Sequence, residues 1–175
     1  VWILLGVAAL IAVADWTSVH WFKLTVQRLR PCHDPMWEGL LNLPAGCGGL
    51  YGFVSSHAVN HFAMAAFLTP WFSRLYGVEN EWSGRVSGAA TAWQRWVFAI
   101  RKAMYGGLAF FFYGGLYIWA LLIGYSRVYL AAHYVGDVIC GGLWGTLLGL
   151  LFYFGLRRIL FPASPSVTPN QTEAV

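Results

Sequence analysis

From Ala103 to Ser126 the chain carries no Asp, Glu, Lys or Arg, and the same holds from Val138 to Leu156. Each run reaches the roughly 20 apolar residues that a helix needs to cross a bilayer. In hydrocarbon the backbone has to satisfy its own hydrogen bonds, and within one segment a helix does so. A third run covers Val1 to Phe22, broken only by Asp15 and His20, and a fourth covers Ser55 to Ser73, polar only in its first turns. The expected architecture is therefore all-α, a polytopic membrane helical bundle with four spanning helices in view. A composition with 58% hydrophobic residues, 10% charged residues and 10 Trp excludes an ordinary soluble domain.

The chain opens on Val1 inside an apolar run, with no initiator Met and no basic stretch before it, so no signal peptide is read and further segments are expected upstream. Phe161 to Val175 is rich in Pro, Ser and Thr and lacks apolar periodicity, which reads as a mobile tail. The expected organisation is a membrane-embedded core over residues 1–160 and a tail over 161–175, without internal repeats.

Four spans would put the 23–54 connection and the 127–133 turn on one side, and residues 74–104 with the C-terminus on the other. The second side carries Arg74, Arg85, Arg95, Arg101, Lys102, Arg157 and Arg158; the first carries Lys23, Arg28, Arg30 and Arg127. The positive-inside bias then sets the first side outside the cytoplasm. Trp93, Trp96, Val97, Ile100 and Met104 recur at helical spacing, as an amphipathic helix in the interface or as a cytoplasmic continuation of the next span. Cys32 and Cys47 fall on the external side, where an oxidising compartment permits a disulfide; two unpaired thiols are the alternative. Cys140, inside an apolar run, reads as a packing residue.

Against this background the ionisable residues next to the apolar runs stand out, because charges at membrane depth are paired or used. Lys23 and Arg30 stand seven apart at the end of the first run, just before Pro31. On a helix they would share a face and converge on one anion, or snorkel as interface anchors. Phe53-Val54-Ser55-Ser56-His57 follows a Gly-rich approach and opens the fourth run: the serines suit a helix N-terminus able to hold phosphate, and His57 suits a proton donor, the plain alternative being a capping pair with a buried His. Ser126-Arg127, then His133, then Asp137 lie between the two longest runs. His133 and Asp137, four apart, would share a helix face, where a carboxylate behind an imidazole strengthens it as nucleophile or base.

Taken in order, these three segments resemble the type-2 phosphatidic acid phosphatase superfamily, whose pattern is Lys-x6-Arg-Pro, Pro-Ser-Gly-His and Ser-Arg-x5-His-x3-Asp. The first and third match fully. In the second, Val54 replaces Pro and Ser56 replaces Gly, while Ser55 and His57 remain. The departure bears on the shape of the phosphate loop and removes no reacting group.

The resemblance implies a helical bundle, six-helical in the lipid phosphatases, so two further helices are expected before Val1. It implies that His133 attacks phosphorus to form a phosphohistidine, with Asp137 orienting its imidazole and His57 first protonating the leaving oxygen, then activating water. Lys23, Arg30 and Arg127 would clamp the phosphoryl oxygens, with Ser55, Ser56 and nearby backbone N–H groups completing the cradle. No metal or cofactor is expected: the cations supply the electrostatic stabilisation, and no carboxylate cluster suits Mg²⁺ and no His/Cys spacing suits Zn²⁺.

The expected partners are a phosphorylated membrane lipid and the bilayer itself, with no nucleic acid. The expected location is a bacterial inner membrane with the site facing the periplasm or exterior, and the candidate substrates are undecaprenyl diphosphate, lipid A phosphates and phosphatidylglycerol phosphate. A lipid phosphotransferase through the same phosphohistidine and a catalytically silent lipid-binding relative are the other readings; haloperoxidase chemistry belongs to soluble members. Around the motifs, His61 reads as a packing residue and Arg28 as an interface anchor. His33, Asp34 and Glu38 read as head-group contacts or solvent-facing groups, and Asp15 and His20 as groups in need of buried partners.

Overall fold

The computed structural model describes residues 1–43, 46–87 and 91–162, so most of the expected tail lies outside the described residues. The described residues are helical apart from two short turns and the longer connection over residues 27–55. Helix α1 (Trp2–Thr17) runs into a π-helical turn (Ser18–Lys23) and a last short piece, α2 (Leu24–Val26). Single-turn 3₁₀ segments at Pro31–His33 and Pro35–Trp37 lead towards three long helices, α3 (Ser56–Ser87), α4 (Ala92–Tyr129) and α5 (Val135–Leu160).

Two stretches are long and apolar enough to cross a membrane among the described residues, Trp2–Val26 and Val135–Leu160. Leu4, Leu5, Leu121, Leu122, Leu143, Leu147 and Leu151 point outward, the side-chain distribution of a bundle solvated by lipid. α4 is continuous from Ala92, so the Trp93 to Met104 pattern belongs to the same helix as the apolar run after it. Asp15 and His20 are exposed, and His20 stacks on Trp16 with ring centroids 4.8 Å apart; neither has the buried setting expected of it.

The centre of the bundle is a close pairing of α3 with α5. Gly141, Gly145 and Gly149 recur every four residues and form one stripe of α5. A Cβ at Gly141 would lie 2.8 Å from the Ser55 carbonyl oxygen, and one at Gly145 or Gly149 would overlap the carbonyl of Val59 or Ala63. The partners advance in the same direction on both helices, so α3 and α5 run parallel with backbones in contact turn by turn, the small-residue packing used where lipid offers no hydrophobic drive. α1 completes the core through Leu10 and Ala14, which are buried with Val59, Ala63, Phe67, Trp71, Leu148 and Tyr153. α4 runs antiparallel to α3: Phe62 meets Tyr117, and further along Phe72 stacks on Phe112 with centroids 4.4 Å apart.

This topology fixes where a site can form. The N-termini of α3 and α5, the C-terminus of α4 and the end of α1 meet at one end of the bundle. Two parallel helices bring two positive dipole ends together there, each with unsatisfied backbone N–H groups.

Candidate active site

At that end the chain leaves α2 sharply. Gln27 adopts a left-handed conformation (φ 51°), and Arg30 is extended (φ −72°, ψ 154°), as a residue before Pro must be. The two-turn helix expected to align Lys23 with Arg30 therefore ends at Val26. Convergence comes instead from chain reversal: Leu29 bridges Tyr51 in antiparallel fashion, Arg30 N–H donates to the Leu50 carbonyl (3.1 Å), and Gly52 N–H donates to the Arg28 carbonyl (2.8 Å). A disulfide between Cys32 and Cys47, with Cα atoms 5.8 Å apart, closes the same loop. Those two sulfurs and a His33 ring nitrogen lie within 4.8 Å of one another, but the sulfurs are bonded to each other and are not available as metal ligands.

His133 is not on a helix. It lies in the turn between α4 and α5, after Ala131 in a left-handed conformation (φ 51°), and its N–H bonds back to the Arg127 carbonyl (3.2 Å). The imidazole is 2% exposed. Its Nδ1 lies 2.8 Å from the Gly52 carbonyl oxygen and its Nε2 lies 3.2 Å from Arg30 Nη1. Because a carbonyl only accepts and a guanidinium only donates, both bonds are satisfied by a single tautomer, with the proton on Nδ1 and a lone pair on Nε2. Burial, then the Arg30 charge, pushes the imidazole down from 6.5 to about 3, against the opposing effect of the Gly52 bond. The ring is thus neutral over the physiological range, with Nε2 aimed into the cationic end of the site.

Asp137 does not orient His133 by the expected hydrogen bond. Its Oδ2 is 3.6 Å from Nδ1, beyond hydrogen-bonding distance. Instead this fully buried carboxylate accepts from Tyr134 N–H at 2.9 Å, the reach-back of a third-position acid to the N-cap of its own helix, and it is ion-paired with Arg28. Arg28, expected as an interface anchor, is thus part of the site, with its guanidinium 5.1 Å from the Phe53 ring centroid and 5.2 Å from that of Tyr134. The Asp137 carbonyl also accepts from Ser55 N–H (3.1 Å), which ties the start of α5 to the start of α3.

The second motif begins α3 as expected of a capping pair. Ser55 is fully buried and its Oγ accepts from Ala58 N–H at 3.4 Å. Ser56 Oγ accepts from Lys23 Nζ at 2.6 Å and lies 2.7 Å from Ser18 Oγ, whose own proton goes to the Asp15 carbonyl at 2.8 Å. The direction of this chain is fixed: Lys23 donates to Ser56, Ser56 to Ser18, and Ser18 to the backbone. The π-helical turn carries both Lys23 and Ser18, and such turns concentrate at functional sites. His57 is exposed, unlike a buried packing residue. Arg127, Lys23, Arg30 and His61 all act on it electrostatically. Arg127 Nε donates to Ser126 Oγ at 3.1 Å, and His61 bonds to the His57 carbonyl through Nδ1 (2.9 Å).

In the loop between α2 and α3, Asp34 Oδ2 accepts from Tyr134 Oη at 2.7 Å, which with the Met36 N–H bond holds its carboxyl below the ordinary carboxylate range. His33 Nε2 meets the Gly48 carbonyl at 2.8 Å. Both residues stitch the loop together. The structure therefore gathers Lys23, Arg30, Ser55, Ser56, His57, Arg127, His133 and Asp137 at one end of the bundle. Sequence reasoning missed Arg28, Ser18 and the Gly52 carbonyl.

The PAP2 superfamily profile matches residues 1–159. The chain belongs to the PAP2 superfamily. Among its relatives in that superfamily, lipid A 4'-phosphatase of Bacteroides thetaiotaomicron is 29% identical over 156 residues, covering 88% of this chain and 54% of that protein. Lipid A 4'-phosphatase of Porphyromonas gingivalis is 26% identical over 144 residues, covering 82% of this chain and 46% of that protein. The chain spans about half the length of these curated relatives. No solved structure matches it.

Proposed function

We propose that this chain carries the catalytic core of a membrane lipid phosphate phosphatase that works through a phosphohistidine, residues 1–160 forming the core and 161–175 a tail. One observation carries the reading: a buried, neutral imidazole with Nδ1–H tied to the Gly52 carbonyl and the Nε2 lone pair directed at Arg30. In the first step Nε2 bonds to phosphorus as the bond from phosphorus to the leaving oxygen breaks, and His57 gives that oxygen a proton. In the second, His57 takes a proton from water, the water oxygen bonds to phosphorus, and Nε2 is released with inorganic phosphate. Lys23, Arg30 and Arg127, Ser56 and the N-termini of α3 and α5 offset the phosphoryl charge, which is electrostatic stabilisation by groups already in position. Ser55 shapes the cradle from beneath.

In this reading α1, α3, α4 and α5 all span, and the site faces the periplasm or exterior of a bacterial inner membrane. Support comes from the apolar outward faces, from the basic residues distributed towards the other side, and from the disulfide, which suits an oxidising compartment. The names of the two relatives favour a phosphorylated saccharide lipid such as lipid A over undecaprenyl diphosphate or phosphatidylglycerol phosphate. The test is phosphate release from that panel by detergent-purified wild type and His133→Ala, with EDTA present. Release by wild type alone, with a phosphorylated protein trapped only when His133 is present, is expected. Release by His133→Ala at the wild-type rate would refute the nucleophile.

A further inference from the structure

The loop between α2 and α3 encloses a cavity of about 360 Å³, lined by His33, Asp34, Trp37 and Glu38 and by the apolar Pro31 and Leu43. It takes no part in the chemistry proposed above, yet its walls are fastened to the turn that carries His133. Cys32 N–H donates to the Ala131 carbonyl (3.2 Å), and Asp34 accepts from the hydroxyl of Tyr134, the residue after His133. Trp37 hydrogen-bonds that same hydroxyl. An indole N–H only donates, so the bonds run from Trp37 to Tyr134 to Asp34 and hold the Trp37 ring by its edge. The side chain stays 38% exposed, a fixed, flat apolar surface beside the cavity. Asp34 is also shared with a neighbouring hollow lined by Arg28, Leu29 and Tyr134, and Arg28 is paired with Asp137 of the site. A ligand that leaves the site past Arg28 therefore reaches the cavity.

The lining decides what fits there. No Lys or Arg is among the described residues that form it, so a second phosphate would meet Glu38 with nothing to neutralise it. Acceptors are in excess. The Gly48 carbonyl takes the His33 Nε2 proton (2.8 Å), which leaves the neutral ring a lone pair on Nδ1, and the Glu38 carboxylate has no polar partner among the described residues. Acceptors beside an aromatic face suit a sugar ring, which offers hydroxyl donors at its edge and C–H groups on its faces. The volume is in the range of pockets that bury a small ligand. An ammonium head group would use the acceptors and leave most of it unfilled. We propose that this cavity is a subsite for a saccharide carried by the phosphorylated substrate: with the phosphate at His133, a sugar ring stacks on Trp37 while Glu38 and His33 accept from its hydroxyls. The inference rests on the phosphatase reading and adds substrate discrimination to it, because undecaprenyl diphosphate has no sugar to place there.

Binding is read first, without turnover. Detergent-purified His133→Ala protein is titrated calorimetrically with a phosphorylated glucosamine disaccharide lacking acyl chains, with inorganic phosphate and with phosphoethanolamine. The disaccharide should bind roughly tenfold more tightly than phosphate through one stacking contact and hydrogen bonds to a charged group. Adding Trp37→Ala should remove that advantage, and Trp37→Phe, which keeps an aromatic face, should retain most of it. In the protein with His133 intact, the ratio of kcat/KM for lipid A to that for undecaprenyl diphosphate should fall roughly tenfold in Trp37→Ala and in Glu38→Gln. An equal fall for both lipids would mark these side chains as structural and overturn the proposal, as would equal affinity for disaccharide and phosphate. Tighter binding of phosphoethanolamine than of the disaccharide would also overturn it, in favour of an ammonium group. Absence of phosphate release from every lipid, with the disaccharide still bound through Trp37, would refute the phosphatase reading and leave the subsite standing.

Discussion

Gly145→Ala is the sharpest probe of how the bundle holds its site. Two terms compete. Replacing Gly by Ala in a helix interior contributes about 0.5–1 kcal/mol in favour of the helix. Against this, the new Cβ would overlap the Val59 carbonyl, which is α3 backbone and cannot rotate away. Forcing a methyl into such a contact costs about 1–3 kcal/mol through shifts of the packed elements, so the net expectation is a loss of up to about 2.5 kcal/mol. Gly155 supplies the control, because on the same helix a Cβ there meets nothing within 4 Å, and Gly155→Ala should stabilise by about 0.5–1 kcal/mol. Both variants are read by unfolding in a fixed detergent, followed through Trp fluorescence, and by phosphate release. Because α5 carries Asp137 and α3 carries Ser55 to His57, prying the helices apart should also slow phosphate release in Gly145→Ala. A Gly145→Ala protein as stable and active as Gly155→Ala would refute the argument that backbone contact between α3 and α5 sets the site.

Three further outcomes are expected. His133→Ala should abolish both phosphate release and protein phosphorylation, whereas Ser56→Ala, which removes the acceptor of Lys23 Nζ, should lower kcat/KM roughly tenfold by losing one charge-assisted hydrogen bond; steady-state kinetics separate the two. Acid should destabilise the protein through His133: between pH 6.5 and about 3 the unfolded imidazole takes up a proton that the folded one refuses, so stability is retained above pH 6.5 and lost as pH falls, by up to about 1.4 kcal/mol per unit. His133→Gln should flatten that slope in a pH series of unfolding curves. Cys32→Ser should cost about 3 kcal/mol in the chain-entropy account of a loop with a sequence separation of 15, and thiol labelling without reductant should find Cys32 and Cys47 blocked.

The apolar runs, the cation and histidine motifs and the pairable cysteines are legible in the sequence because each is a property of side chains. What escaped reading belongs to backbone or to pairing across the fold. The seven-residue spacing of Lys23 and Arg30 predicts one helix through both, whereas Pro31 disfavours helix at Arg30, which is extended. His133 and Asp137 at a separation of four invited a shared helix face, but Asp137 is the third residue of α5 and bonds back to Tyr134 N–H, which leaves His133 in the turn. Ser18 is an ordinary small residue in an apolar run until α3 comes alongside. Arg28 has no spacing relation to Asp137, so only the fold reveals their pairing.

The partner that orients the His133 ring is a carbonyl oxygen of the main chain. Such an acceptor has no proton to gain at any pH at which the protein stays folded, and no side chain that a point substitution can delete. The orientation of the imidazole is therefore insulated from loss of its acceptor by protonation or by side-chain replacement. It is exposed to a different one: any change that lets the Gly52 segment drift from Arg28 and Arg30, even one far along the loop, disarms the ring without touching a reacting group.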